Sequence, residues 1–524
     1  MDISGKEAEL KVELGPEDLA LLRKHPVLRT LATGPATTRS LRSIYFDTAG
    51  QALHAHRISL RVRRVDGAWI QTVKQGVGLS GGLSTPRECE VPVDGPEPAL
   101  DAIADETMRA GVLALVKSAP LVPLFETRMR RTQRDLKTPD GDLVELAFDV
   151  GEIVAGEASR PLCEVELELK DGALSALFEV ARSLFSDVTI RFSKLSKAQR
   201  GYALAAGLPD APLAPSAGAL PALKPKMGAE RALRATLRAC AEQIADNRAV
   251  ILASDDPEGA HQLRVGLRRL RSALKTFHPL IESPATEHLD AQARHFAGIA
   301  GRLRDLDVLL ADILAPVRDR TPDRDGLKML ELMLEDHRKA ARAEVRAALS
   351  GGAFNGFLLD LGAYTETRSW RARTGAVQSV GLAQQLSAAR KEPVRDFAAR
   401  ALDARWAHAE KRARHLESLT IEERHALRRS LKKLRYATEF FAALYPAKPT
   451  QRFLKQLKKL QDLFGYLNDV AMAERLPAML PDPAPTPMTL AAGHTIGWHQ
   501  AHADHAWEDV QKRWEKLCGT ERFW

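Results

Sequence analysis

Over residues 1–205 polar and apolar positions alternate with a period of two. KEAELKVEL, SLRVRRV, WIQTVKQ, LVELAFDV and CEVELELK each place every second side chain on one face, which predicts strands. Helical patterns interrupt them near residues 17–23, 99–116 and 174–184. A stretch rich in Pro and Ala with few charges, 207–226, reads as a linker. Beyond it the apolar spacing changes to three and four, predicting helices almost to the end. A Pro-rich break at 477–487 precedes a last helix near 493–517, where Trp498, Trp507 and Trp514 read as packing residues.

The helical part repeats itself. HQLRVGLRRLRSALKTF begins at His261 and HALRRSLKKLRYATEFF at His425, 164 residues later. GRLRDLDV at Gly301 and GYLNDVAM at Gly465 return at the same spacing. Two matches at one offset predict two related helical bundles, over about 227–350 and 390–520. The expected organisation is a strand-rich domain over 1–206, a linker over 207–226 and a helical domain over 227–520.

Charge sharpens this division. The chain has 524 residues and a net charge of +8. Residues 1–208 hold 27 of the 76 Lys and Arg and 29 of the 68 Asp and Glu, so the basic surplus lies in the helical part, 49 against 39. Such a surplus points to a polyanionic partner. Cys89, Cys163, Cys240 and Cys518 are scattered with no metal-type spacing, as in a cytosolic protein with reduced thiols. No signal-like or membrane-spanning apolar run is present. The expected location is therefore cytoplasmic.

The strands carry unusual chemistry on their polar faces. Glu7, Glu9 and Lys11 share one face; so do Arg61 and Arg63, Glu145 and Asp149, and Glu164, Glu166 and Glu168. One charged strand face is ordinary surface. Several together, on a sheet that closes, would line an interior with both carboxylates and cations. A divalent metal bound to phosphates satisfies both, because hard cations take oxygen ligands and phosphates take Arg and Lys donors.

Glu7-x-Glu9-x-Lys11 resembles the ExExK motif of the CYTH, or triphosphate tunnel metalloenzyme, superfamily. The similarity continues in order through YFDT at Tyr45, LRVR at Leu60, Lys74 in TVKQ and FETRMRR at Phe125. It then runs through ELAFD at Glu145, CEVELEL at Cys163 and SKAQRGY at Ser196. The resemblance implies an α+β domain built on an antiparallel eight-stranded tunnel that hydrolyses inorganic triphosphate with Mg²⁺ or Mn²⁺. It implies Glu7, Glu9, Glu166 and Glu168 as metal ligands. Lys11, Arg61, Arg63, Lys74, Arg131 and Lys197 would grip phosphate, with Arg128 and Lys194 as alternatives of neighbouring register. Glu145, Asp149 and Glu164 remain open as the base that activates water. No P-loop, Ser/His/Asp set or Cys nucleophile suggests a covalent intermediate.

In the helical part, His261, Arg264, Arg268, Arg271 and Lys275 fall on one helix face, opposite Leu263, Leu267, Leu270, Leu274 and Phe277. His425, Arg428, Lys432 and Arg435 repeat the stripe opposite Leu427, Leu431, Leu434 and Phe441. Read alone, these stripes contain no acid and call for an anion. The pattern resembles the CHAD domain, which implies two pseudo-symmetric four-helix bundles whose basic surfaces face a shared groove that binds inorganic polyphosphate through His261, Arg264, Arg268, Arg271, His425, Arg428, Lys432 and Arg435. Arg302, Arg304, Lys458 and Lys459 would extend that surface, and Asp305, Asp307 and Asp469 would serve as caps or Arg partners ahead of metal ligands. Nucleic acid is a poorer match, since the stripes have few stacking aromatics. The competing functional readings are a non-enzymatic polyphosphate-binding or granule-associated protein and a thiamine-triphosphatase or adenylyl-cyclase-type activity. Trp69, the only Trp of the strand-rich part, would bear on the thiamine reading.

Overall fold

A computed structural model describes residues 8–76, 78–209, 212–321, 325–371 and 380–524. Glu7, an expected metal ligand, lies outside the described residues. Two compact units form: residues 1–213 with 350–363, and residues 214–349 with 364–524.

The first unit is built on one antiparallel sheet. Its strands are β1 (Ala8–Glu13), β2 (Thr37–Thr48), β3 (Ile58–Val65), β4 (Ala68–Gln75), β5 (Leu83–Ser84), β6 (Arg87–Val93), β7 (Leu121–Lys137), β8 (Leu143–Ala155), β9 (Ala158–Asp171) and β10 (Arg191–Phe192). The order is β10-β1-β9-β8-β7-β2-β3-β4-β6, with β5 also on β1. Ser84 pairs with Glu9 on β1, and Arg87, three residues later, pairs with Gln75 on β4. The chain thereby draws the two ends of the sheet toward each other, and the sheet curls. Among the described residues ten strands stand where eight were expected, because β5 and β10 are two residues long and too short to show a period.

Register carries the alternation across the sheet. The apolar set Leu10, Val12, Val144, Leu146, Phe148, Val165 and Leu167 packs with Leu177, Phe178, Ala181 and Leu184. Of the helices of this unit, α1 (Glu106–Val116) buries Met108, Val112 and Val116. Next come α2 (Ser175–Leu184) and α3 (Lys197–Ala205). Leu359, from segment 350–363, joins the α2 core, and Asn355 Nδ2 donates to the carbonyls of Phe185 and Val188. Trp69 falls on this apolar side, packed with Leu60, Val73 and Val112, not on the charged face.

The second unit is helical. Its main helices are α4 (Ala229–Ala253), α5 (Pro257–Thr276), α6 (Pro284–Val308), α7 (Asp325–Ser350), α8 (Val394–Arg412), α9 (Ile421–Phe441), α10 (Ala447–Ala473) and α11 (Thr486–Cys518). α5 packs between α4 and α6, and α9 between α8 and α10, while α5 and α9 also meet. One apolar cluster joins Leu306, Leu327, Leu330 and Leu334 to Ala473, Met488 and Ala491. The halves therefore share a core, where two repeated bundles were expected. Residues 216–219 lie against α4 and α5: Ser216 exchanges hydrogen bonds with Asn247, and buried Arg269 donates to the carbonyls of Ala217 and Ala219. Among the described residues no helix is long and apolar enough to cross a membrane.

Candidate functional site

The register of β1, β9, β8 and β7 gathers the charged side chains into rows across one face. Glu9 stands opposite Glu168, itself opposite Glu145; Lys11 stands opposite Glu166; Glu13 stands opposite Glu164, itself opposite Asp149. Arg131 on β7 is paired with Asp149. β2, β3, β4 and β6 continue the face with Tyr45, Arg61, Arg63, Thr72, Lys74, Glu88 and Glu90.

The side chains form one buried network. Lys11 Nζ lies 3.1 Å from Glu9 Oε1 and 2.9 Å from Glu166 Oε1. Arg131 grips Asp149 through two hydrogen bonds, of 2.7 and 2.6 Å, and reaches Glu166 at 2.5 Å. Lys197 Nζ meets Asp149, Glu164 and Glu166 at 2.9, 2.6 and 2.7 Å. Lys197 is the first residue of α3, where the helix dipole disfavours a cation; these three carboxylates compensate. A capping box, Ser196 with Gln199, fixes the start of that helix.

Ionisation follows from the network. Burial opposes the Glu166 carboxylate, yet Lys11, Lys197 and Arg131 hold it well below the usual range. Asp149 is likewise lowered against burial by Lys197 and Arg131. Both are committed to cations and are poor bases. Glu145 differs: burial raises it, Lys170 at 3.8 Å opposes only in part, and neighbouring Glu168 adds to the rise.

The β3 side of the face has the opposite imbalance. Arg61 lies 3.6 Å from Glu88 and 3.5 Å from Glu90, and Lys74 pairs with Glu88. Arg63 donates to Ser43 Oγ at 3.0 Å, and among the described residues no carboxylate lies within ion-pair distance of it. Burial, with Arg61 and Arg131 close by, pushes it down to about 10. Arg128 points away and pairs with Glu126, and Lys194 is exposed. Glu88 and Glu90 were missed, although RECEVPV alternates and places both on one face.

Among the described residues no three His, Cys, Asp or Glu side chains gather closely enough to hold a metal ion. The chemistry of the donors nonetheless fits a hard divalent cation: Glu9, Glu168 and Glu145 form a cross-strand row of carboxylates, with Glu166 beside it.

In the helical unit the two stripes come together. A cavity of about 350 Å³ is lined by His261, Arg264 and Arg268 of α5 and by His425, Arg428 and Lys432 of α9. Arg304 and Asp305 of α6 meet Asn468 and Asp469 of α10 there, and Arg475 joins them. Arg475 sits outside either stripe and gave no periodic signal. Arg271 and Arg435 do not line it: Asp290 holds Arg271 at 2.9 Å and Glu439 holds Arg435 at 3.3 Å. Asp305 pairs with Arg264 at 2.9 Å. The stripes are therefore partly neutralised, by neighbouring helices and by an i,i+4 acid on α9 itself. Arg302 is taken by Glu344, and Lys458 and Lys459 stand outside the cavity. Asp307 is buried and raised by burial, with Arg338 at 4.0 Å.

Comparison with known proteins places these units. The CYTH domain family model matches residues 5–202 and the CHAD domain family model residues 235–477. The inorganic triphosphatase of Haemophilus influenzae is 30% identical over 199 residues, 38% of this chain and 55% of that protein. The match thus spans little more than half of that relative. The crystal structure of the CHAD domain from the plant Ricinus communis is 27% identical, with a TM-score of 0.49, covering 59% of this chain and 99% of that one. A Hippeastrum protein whose structure is described as revealing a dominant triphosphatase activity is 19% identical, with a TM-score of 0.27, covering 39% and 97%. With the ordered motifs and the charged sheet face already described, the chain is a CYTH domain fused to a CHAD domain, homologous to a bacterial inorganic triphosphatase.

Proposed function

We propose that the sheet closes as a tunnel that hydrolyses inorganic triphosphate to phosphate and pyrophosphate, and that the helical unit binds inorganic polyphosphate. One observation carries the first part. Arg63 is a half-buried guanidinium among other cations, on the same face as rows of carboxylates. Such a face calls for phosphate oxygens on one side and a cation on the other.

Lys11, Arg61, Arg63, Lys74, Arg131 and Lys197 bind and orient the triphosphate. Their charges offset those on the transferring phosphoryl group and the leaving pyrophosphate. Glu9, Glu166 and Glu168, with Glu7, would hold Mg²⁺ or Mn²⁺, which neutralises phosphate charge when bound. Water attacks the terminal phosphorus, the P–O–P bond to pyrophosphate breaks, and Glu145 takes the proton. Asp149 and Glu164 orient Arg131 and Lys197. Trp69 lies on the apolar side of the sheet, so it offers no stacking surface for a thiamine ring.

The test is phosphate release from inorganic triphosphate with Mg²⁺ or Mn²⁺, comparing the native chain with Glu9→Ala. Release that the substitution abolishes supports the reading. No release with either metal, while triphosphate still binds, would overturn the enzyme and leave a polyphosphate-binding protein.

A further inference from the structure

The cavity of the helical unit is built from matched pairs. His261 and His425, Arg264 and Arg428, Arg268 and Lys432, Arg304 and Asn468, and Asp305 and Asp469 are each 164 positions apart, and all ten line it. The pairs are not equivalent. Arg264 is held by Asp305 at 2.9 Å, whereas its mate Arg428 donates to the side-chain oxygen of Asn468 at 3.3 Å and, among the described residues, has no carboxylate at ion-pair distance. Nε of Arg268 and Nε of Arg428 are buried with no hydrogen-bond partner. Lys432 lines the same cavity close enough to feel both charges, and among the described residues no carboxylate is within ion-pair distance of it. Three cations therefore crowd a partly enclosed space with donors left over.

We propose that this cavity takes up its phosphate-chain anion together with a proton, which Lys432 receives. The inference rests on the polyphosphate reading of the same site. In the anion-free cavity, the neutral amine avoids placing a third unpaired positive charge beside Arg268 and Arg428. When phosphate oxygens fill the space they accept hydrogen bonds from both arginines and favour the ammonium. The proton comes from solvent and adds to the amine lone pair; no other bond changes.

The surroundings agree from every side. α5 presents His261, Arg264 and Arg268; α6 presents Arg304 and Asp305; α9 itself presents His425, Arg428 and Arg435; α10 and its end present Asp469 and Arg475. Burial, then Arg268, Arg428, Arg264 and Arg435, pushes the Lys432 ammonium down to about 6. Asp469 acts on Arg428 and not on Lys432, and its own carboxyl is raised by burial. The sign follows from linkage. Below about pH 6 the anion-free amine already carries its proton, so this residue adds no pH dependence. Above that value each binding event takes up a proton, and affinity falls by up to about tenfold per pH unit until the anion-bound amine itself deprotonates.

Calorimetric titration of the full chain with long-chain inorganic polyphosphate, at fixed salt with EDTA and pH 7.5, reads this directly. Run in two buffers of different ionisation enthalpy, it should show uptake approaching one proton per occupied cavity. In Lys432→Arg that uptake should vanish and affinity should become nearly flat from pH 6.5 to 8.5. Binding without proton uptake by the native chain would overturn the inference alone. Uptake that persists in Lys432→Arg but disappears in His261→Gln would overturn it too, assigning the proton to the histidine. Absence of any binding would instead overturn the polyphosphate reading, and this inference with it. Should Lys432→Arg fail to fold by circular dichroism, the buffer dependence and pH slope of the native chain still decide.

Discussion

The sheet face and the helical cavity both collect arginine and lysine, yet they treat the charge differently. On the sheet, Lys11, Arg131 and Lys197 converge on Glu166, Asp149 and Glu164 at 2.5–2.9 Å. In the cavity, among the described residues, no carboxylate lies within ion-pair distance of Arg268, Arg428 or Lys432, although Asp305 and Asp469 line it. A balanced network is rigid and can aim several donors at one position, as phosphoryl transfer requires. An unbalanced one attracts any suitably spaced polyanion and suits holding more than cutting. The lesson is that counting basic residues does not separate a catalytic site from a binding one; the placement of their acids does.

The comparison breaks most sharply at Lys197. Lys197→Met should lower triphosphate hydrolysis by about 10²–10³-fold, the scale for losing one preorganised charge-stabilising donor. Polyphosphate affinity of the helical unit should not move. Steady-state phosphate release and polyphosphate titration on the same preparation check both halves, and a comparable loss in both would show that the sites are not separable.

Arg63 and Arg428 sharpen it next. Among the described residues Arg63 has no carboxylate at ion-pair distance, so Arg63→Met should weaken triphosphate binding about 10- to 100-fold while leaving the thermal midpoint unchanged or raised, since a half-buried unpaired charge is removed. Arg428→Met should weaken polyphosphate binding and reduce the slope of log affinity against log salt by about one phosphate contact. A midpoint that falls markedly in Arg63→Met would mean that this guanidinium is structural.

Acid stability should also differ between the regions. Asp149 and Glu166 are lowered in the folded state, so their stabilisation is complete above the ordinary carboxylate range and is lost as pH falls through their depressed values. Asp149→Asn should flatten the acid limb of stability, measured by denaturant unfolding from pH 6 to 3. The cavity's Asp469, raised by burial, should give no such limb when replaced by Asn.

The smallest effect compares two capping boxes, Ser196 with Gln199 at the start of α3 and Thr420 with Glu423 at the start of α9. Each changed to Ala should cost about 1 kcal/mol in chemical denaturation. Only Ser196→Ala should also slow hydrolysis, because Lys197 follows it directly. Equal effects on hydrolysis would show that the α3 cap does not position that lysine.

Much of this site was legible because strands have a period of two. Once β1, β8 and β9 were recognised, Glu9, Lys11, Glu145, Asp149, Glu164, Glu166 and Glu168 had to share a face. β6 carries the same signal in RECEVPV, and Glu88 and Glu90 were overlooked there. A helical wheel was weaker evidence. It put Arg271 and Arg435 on the basic stripes but could not show Asp290 reaching in from α6, and the i,i+4 acid Glu439 was passed over.

The sequence by itself determined which residues share a strand face or a helix stripe and that the helical part repeats at 164 residues, because these follow from local backbone geometry. Tertiary structure alone decided the pairings. It set Arg131 against Asp149, left Arg63 without an acid, brought both stripes to one cavity and joined the two helical halves through one core. Coulomb energy and burial depend on distances between elements remote in sequence, and those distances are set only when the chain packs.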